Sequence, residues 1–178
     1  MAETNPLKDR IAQALAPLVG MPLWDSGRAA DLEWFIFGER RTIKDFRGEP
    51  REVGEYSLHV QCAWRITQGG RVLVGSRDLY YPAGYCDQTQ EIPRNFNWDV
   101  QGGNRRDELV AALFEQGRKQ YRVTRFQVGA AGALTVALED DMALEIFPDD
   151  ALPGEHWRLF RPGEDDPHFV VTGEGVEE

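Results

Sequence analysis

The stretch YSLHVQCAWRIT, Tyr56–Thr67, alternates along its whole length. Tyr56, Leu58, Val60, Cys62, Trp64 and Ile66 are apolar or aromatic, and Ser57, His59, Gln61, Ala63 and Arg65 stand between them. Successive side chains of a strand point to opposite faces, so this period of two predicts an antiparallel strand with one face on a core. Gln68-Gly69-Gly70 reads as a turn and Arg71–Tyr81 as a returning strand, which together predict a long hairpin.

Strand patterns continue on both sides. Leu32–Gly38 (LEWFIFG) is aromatic and reads as a largely buried strand. Tyr121–Val128, Ala133–Glu139, Met142–Phe147, His156–Arg161 and Phe169–Thr172 are strand-like, separated by Gly129–Gly132, Asp140-Asp141, Pro148–Gly154 and Pro162–Pro167. Two segments are helical. Asn5-Pro6 suits a helix start; Leu7, Ile11, Leu15 and Leu18 share one helical face, and Pro17 stops the helix near Leu15, placing it within residues 1–20. Asn104 caps a second helix running to about Gln116, with Gly117 as its terminator. Arg40–Glu55, mixed in charge and broken by Gly48, Pro50 and Gly54, reads as a solvated loop; Pro82–Gly103 reads as a long loop carrying Tyr85 and Trp98.

These elements predict one α+β domain over residues 1–178: an antiparallel meander sheet of about seven or eight strands with two helices on one face, and a flexible acidic tail over 173–178. The composition agrees with a globular chain, at 42% hydrophobic and 28% charged residues. Two cysteines, Cys62 and Cys86, make neither a disulfide framework nor a CxxC pair, which favours a reducing cytoplasm. No run approaches the roughly 18 apolar residues of a membrane span.

The net charge of −10 is unevenly placed: residues 139–178 hold thirteen carboxylates and two basic groups, and residues 1–138 hold seventeen acidic and eighteen basic groups. An acidic balance disfavours nucleic acid and anionic lipid and points to a basic protein partner. If strands pair in chain order, Asp140 and Asp141 fall at the same sheet end as Glu164, Asp165 and Asp166, and these five form the expected partner-binding surface.

Catalytic signatures are missing from the sequence. It contains no phosphate-binding Gly-rich loop, no GxSxG and no HExxH. His59, His156 and His168 lack metal-ligand spacing, and His59 and Cys62, three apart on one strand, point to opposite faces. No catalytic residue, cofactor or metal is therefore expected, and the oligomeric state is left open. The alternative site is the polar face of the long strand: His59, Gln61 and Arg65, joined by Arg77, with Tyr85 and Trp98 of the 82–103 loop folded over it as a small-molecule pocket or active site.

GEYSLHVQCAWRI (Gly54–Ile66) and VGSRDLYYP (Val74–Pro82) resemble uncharacterised bacterial proteins of similar length. GALTVALEDDMALEIFPDD (Gly132–Asp150), EHWRLF (Glu155–Phe160) and VVTGEG (Val170–Gly175) are similar to small bacterial sheet domains, some of them associated with immunity proteins of polymorphic toxin systems. The resemblance brings no catalytic residue to carry over; it implies a bacterial, cytoplasmic origin and a tilt toward a binding or neutralising role. With the acidic segment and the missing catalytic signatures, it leads to the expectation of a non-enzymatic, immunity-like binding protein.

Overall fold

The computed structural model describes residues 6–177. The Asn5 cap therefore lies outside the described residues. Helix α1 spans Pro6–Leu15 and ends in a 3-10 turn, Ala16–Leu18, where Pro17 removes a backbone donor. Strands follow as β1 (Pro22–Ala29), β2 (Leu32–Phe37), β3 (Arg41–Lys44), β4 (Pro50–Val53), β5 (Tyr56–Val60), β6 (Ala63–Gln68) and β7 (Arg71–Gly75). After a 3-10 turn at Ser76–Tyr80 and the long loop come α2 (Arg105–Phe114), β8 (Tyr121–Val128), β9 (Leu134–Leu138), β10 (Met142–Phe147), β11 (Glu155–Phe160), β12 (Phe169–Thr172) and β13 (Gly175–Val176).

The fold is α+β with an antiparallel sheet, but that sheet has eleven strands in the order β13-β12-β11-β5-β2-β1-β8-β9-β10-β6-β7, with β3-β4 as a separate hairpin. The expected count of seven or eight was too low. Pro22–Ala29 hides its strand behind Pro22, Asp25, Ser26 and Gly27, which are poor strand formers; pairing with β2 overrides that preference. The charged Arg40–Glu55 segment is not a simple loop either, because Arg41 pairs with Val53 and Ile43 with Arg51. Only Arg71–Gly75 of the returning strand is extended; Ser76–Tyr80 coils, with the Asp78 carboxylate accepting from the Gly75 amide at 2.9 Å. At the C-terminus, residues read as a free tail form β13, with Val176 opposite Val171 and partly buried against the core.

The order is not a meander. β5 and β6, separated only by Gln61 and Cys62, sit far apart in the sheet: β5 pairs with β2 and β11, and β6 with β10 and β7. The ladder leaving β5 through β2, β1, β8, β9 and β10 returns to β6, so the sheet curls round on itself. Its seam is narrow, because β1 meets β8 at only Pro22↔Arg122 and Leu23↔Tyr121. Side chains from opposite walls meet inside: the Phe35 ring on β2 lies edge-on to Trp64 on β6, 5.2 Å between centroids, and Trp157 Nε1 on β11 donates to Gly132 O at 2.8 Å. Ile11 and Leu15 of α1 and Val110 and Phe114 of α2 join the same core. α1 packs on β8, and α2 on β1, β7 and the 76–80 turn. Asn104 caps α2 as its sequence indicates, its Oδ1 accepting from the Asp107 amide at 2.9 Å, and the helix ends at Phe114, where Glu115 turns left-handed. Among the described residues, no helix is long and apolar enough to cross a membrane.

Candidate functional site

The outer face of β2, β5 and β11 is covered by the β3-β4 hairpin. Pairing places Trp34 opposite His59 and Ile36 opposite Ser57 across β2 and β5; on β11, Arg158 stands opposite His59 and Phe160 opposite Ser57. Ile43 and Arg51, facing each other across the hairpin, close over these residues and leave a cleft of about 190 Å³. Pro162 and Gly163 form one end.

Trp34, His59 and Phe160 put three rings into this wall. His59 meets Phe160 edge-on at 4.7 Å and lies 6.0 Å from Trp34, and His168 stacks on Phe160 at 4.3 Å. Trp34 lies flat over β1 because Gly27 has no side chain; a Cβ there would stand 2.5 Å from the indole. The polar groups are few. Ser57 is 6% exposed, and its hydroxyl has no hydrogen-bond partner among the described residues. Burial, reinforced by the Arg158 and Arg51 charges, holds His59 down at about 4, so its ring is neutral at physiological pH. The Arg51 guanidinium lies 5.8 Å from the Trp34 centroid.

The hairpin is anchored at its base. Arg41 donates to Glu164 at 3.0 Å and to Pro162 O at 3.2 Å; Arg40 donates to Glu52 at 2.9 Å and to Gly117 O, and stacks 4.0 Å over Trp24. Its tip carries Phe46, 90% exposed.

A larger cavity of about 300 Å³ opens at the β5-β6 corner, lined by Asp31, Gln61, Cys62, Arg77, Tyr80, Asp149 and Asp150 among others. Its floor is a buried ionic network joining β1, β2, α2 and the long loop. Arg106 grips Glu33 with two nitrogens, Nε to Oε2 at 2.9 Å, and also donates to Ser26 Oγ at 3.2 Å and Asp107 Oδ1 at 3.1 Å. Arg28 donates to both Asp107 oxygens, at 2.8 and 2.9 Å, to Asp99 at 3.2 Å, and to the carbonyls of Trp98, Asp99 and Val100. Burial pushes the Glu33 carboxyl up to about 7, against the opposing pull of Arg106 and Ser26. Burial and the nearby Asp149 charge push the Cys62 thiol up to about 12, so it is a poor nucleophile at neutral pH.

The residues expected to form one ligand site are dispersed. His59 lines the cleft, whereas Gln61 and Arg77 line the larger cavity. Arg65 is ion-paired with Glu145 on β10 at 2.7 Å. Tyr85 stacks on Tyr81 beside a shallow third depression, and Trp98 packs edge-on against Tyr80 at 5.5 Å. The cause is the Gln61-Cys62 corner, which sends His59 and Arg65 onto different parts of the curled sheet. The cover over His59 is the β3-β4 hairpin, not the 82–103 loop.

The five acidic residues are divided too. Gln68 stands opposite Met142, which puts Asp140 and Asp141 at the end of β6; Ser57 stands opposite Phe160, which puts Glu164, Asp165 and Asp166 at the start of β5. The two groups lie at opposite ends of the Tyr56–Gln68 stretch because β11 crosses to β5 instead of pairing with β10. Glu164 and Asp166 are moreover engaged, Glu164 with Arg41 and Asp166 with Arg161 at 3.5 Å.

Trp34, Ile36, Arg51, Ser57 and Phe160 escaped the sequence reading. One signal was present: in Leu32–Phe37 both parities are apolar, Trp34 and Ile36 on one and Phe35 and Phe37 on the other, and a strand apolar on both faces is covered on both. No family model matches this chain, and no curated protein or solved structure matches it.

Proposed function

We propose that this chain is a non-enzymatic binding protein that holds a small molecule in the cleft between the β2-β5-β11 face and the β3-β4 hairpin. The carrying observation is a concave cleft walled by Trp34, His59 and Phe160, at which the Ser57 hydroxyl has no hydrogen-bond partner among the described residues. A hydroxyl left open in a concave, largely apolar wall is a polar group that can orient a ligand seated there. Binding is favoured over catalysis because no base is hydrogen-bonded to that hydroxyl among the described residues, and the neutral His59 ring stands beside it without bonding it. The test is a small-molecule library screened by NMR on labelled protein, with the Trp34 indole signal assigned through Trp34→Phe. Compounds that shift this signal should lose their effect in Ile43→Trp, which fills the cleft from the lid side. A library that leaves the Trp34 signal unmoved, or shifts that persist in Ile43→Trp, overturns the reading.

A second reading, an immunity-like role against a basic protein, is supported by the larger cavity. Its cations Arg28 and Arg106 are neutralised internally by Asp107, Asp99 and Glu33, leaving Asp31, Asp149 and Asp150 against Arg77 at the mouth. Such a mouth suits an inserted lysine or arginine side chain. A lysine-rich peptide should then bind in a salt-dependent way and lose affinity to the Asp149→Asn/Asp150→Asn double variant; equal binding to both proteins removes this reading.

A further inference from the structure

Size, shape and charge at the cleft narrow what it takes. An apolar cavity of about 150 Å³ holds one benzene molecule. At about 190 Å³ the cleft has room for one substituted ring. Its walls offer ring faces and edges from Trp34, His59 and Phe160, with Ile36 and Ile43 between, which suits a planar aromatic body.

Arg51 and Glu52 both line the cleft, and of the two only the positive charge is uncommitted. Arg51 lines the cleft and has no hydrogen-bonded carboxylate among the described residues. Its neighbours are otherwise engaged: Glu52 is held by Arg40, Arg41 by Glu164, and Arg158 by Glu155 at 2.8 Å. The guanidinium projects toward the ring of Trp34, so a ligand seated on that ring presents a substituent to it. Deeper in, the Ser57 hydroxyl can donate one hydrogen bond, and the neutral His59 ring can donate another without adding charge. A free inorganic anion fits this lining badly, because it would lose hydration against apolar walls for a single guanidinium.

Resting on the cleft as the binding site, we propose that its ligand class is a single-ring aromatic carboxylate, the ring seated against Trp34 and Phe160 and the carboxylate paired with Arg51. Arg is suited to this because its fork engages both oxygens of a carboxylate.

The experiment titrates benzoate, benzamide, benzylamine and inorganic phosphate into the labelled full chain and follows the Trp34 indole signal. Benzoate is expected to bind about tenfold more tightly than its neutral isostere benzamide, the difference one charge-assisted pairing makes. Arg51→Gln is expected to abolish the preference, so that benzoate and benzamide bind equally in the variant; Arg51 is exposed, so this variant folds. Equal binding of benzoate and benzamide, a preference for benzylamine, or benzoate affinity indifferent to Arg51→Gln overturns the ligand class while leaving the cleft as a binding site. Phosphate binding that matches benzoate and moves no ring contact also overturns it. If benzoate, benzamide and benzylamine all leave Trp34 unmoved, the cleft reading falls with it.

Discussion

Gly27 is a residue whose job is to be small. The Trp34 indole occupies the space a Cβ would need, 2.5 Å from its ring atoms. Gly27→Ala should therefore cost about 1–3 kcal/mol, the usual effect of overpacking, and shift the Trp34 indole signal; urea denaturation and NMR would read both, and an unchanged midpoint would show that the ring moves aside freely. Glu33 and Arg106 make the second residue-scale case. Removing one partner of a buried pair costs roughly 3–5 kcal/mol. Glu33 is raised from 4.5 to about 7, so its stabilising influence is full below 4.5 and is lost as pH rises through about 7. In Arg106→Met the pull that lowers Glu33 is gone and its carboxyl rises further. The variant should thus be hurt more at pH 8 than at pH 5 in urea titrations; an equal loss at both would show that Glu33 carries no charge in the folded protein. His59 runs the opposite way. Lowered from 6.5 to about 4, it contributes stability above 6.5 that fades as pH falls through about 4. Its ring signals should show no inflection between pH 5 and 8, and one near 6.5 would contradict its burial.

At the scale of elements, the long loop and the hairpin are the parts whose order depends on others. The 97–103 segment has little apolar anchorage, but Arg28 reaches its Trp98, Asp99 and Val100 carbonyls, and Asn104 Nδ2 donates to Trp98 O at 2.9 Å. Arg28→Met should speed hydrogen exchange at 97–103 while leaving the β3-β4 amides unchanged; matched acceleration in both would mean that the loop and hairpin open as one unit. The two helices and most strand spans were legible in the sequence, because Asn104, Pro17 and the alternation in Met142–Phe147 act locally. β1 was not, because Ser26 and Arg28 are buried polar residues whose partners include Glu33, Arg106, Asp107 and the long loop. The hairpin was not, because its charges are balanced by residues far along the chain, such as Glu164 for Arg41.

Over the whole molecule, closure of the sheet depends on distant partners: Ile66 pairs with Leu144, and Leu58 with Leu159. Such pairings require large loops to close before contacts form, so refolding should take milliseconds to seconds. Stopped-flow measurement giving microsecond folding would show that a local unit suffices.

The sequence by itself determined most of the strand spans, where α2 begins, and which face of each strand is buried along Tyr56–Gln68 and Tyr121–Phe147. Those properties are written in periodicities of two and in single capping side chains, which act over a few residues. Only the tertiary structure decided that Gln61-Cys62 is a corner, that β11 lies on β5, and that a hairpin covers His59. Period two records that a face is buried and is silent on what buries it; strand partners come from contacts between segments scores of residues apart, and the cleft is made of nothing else.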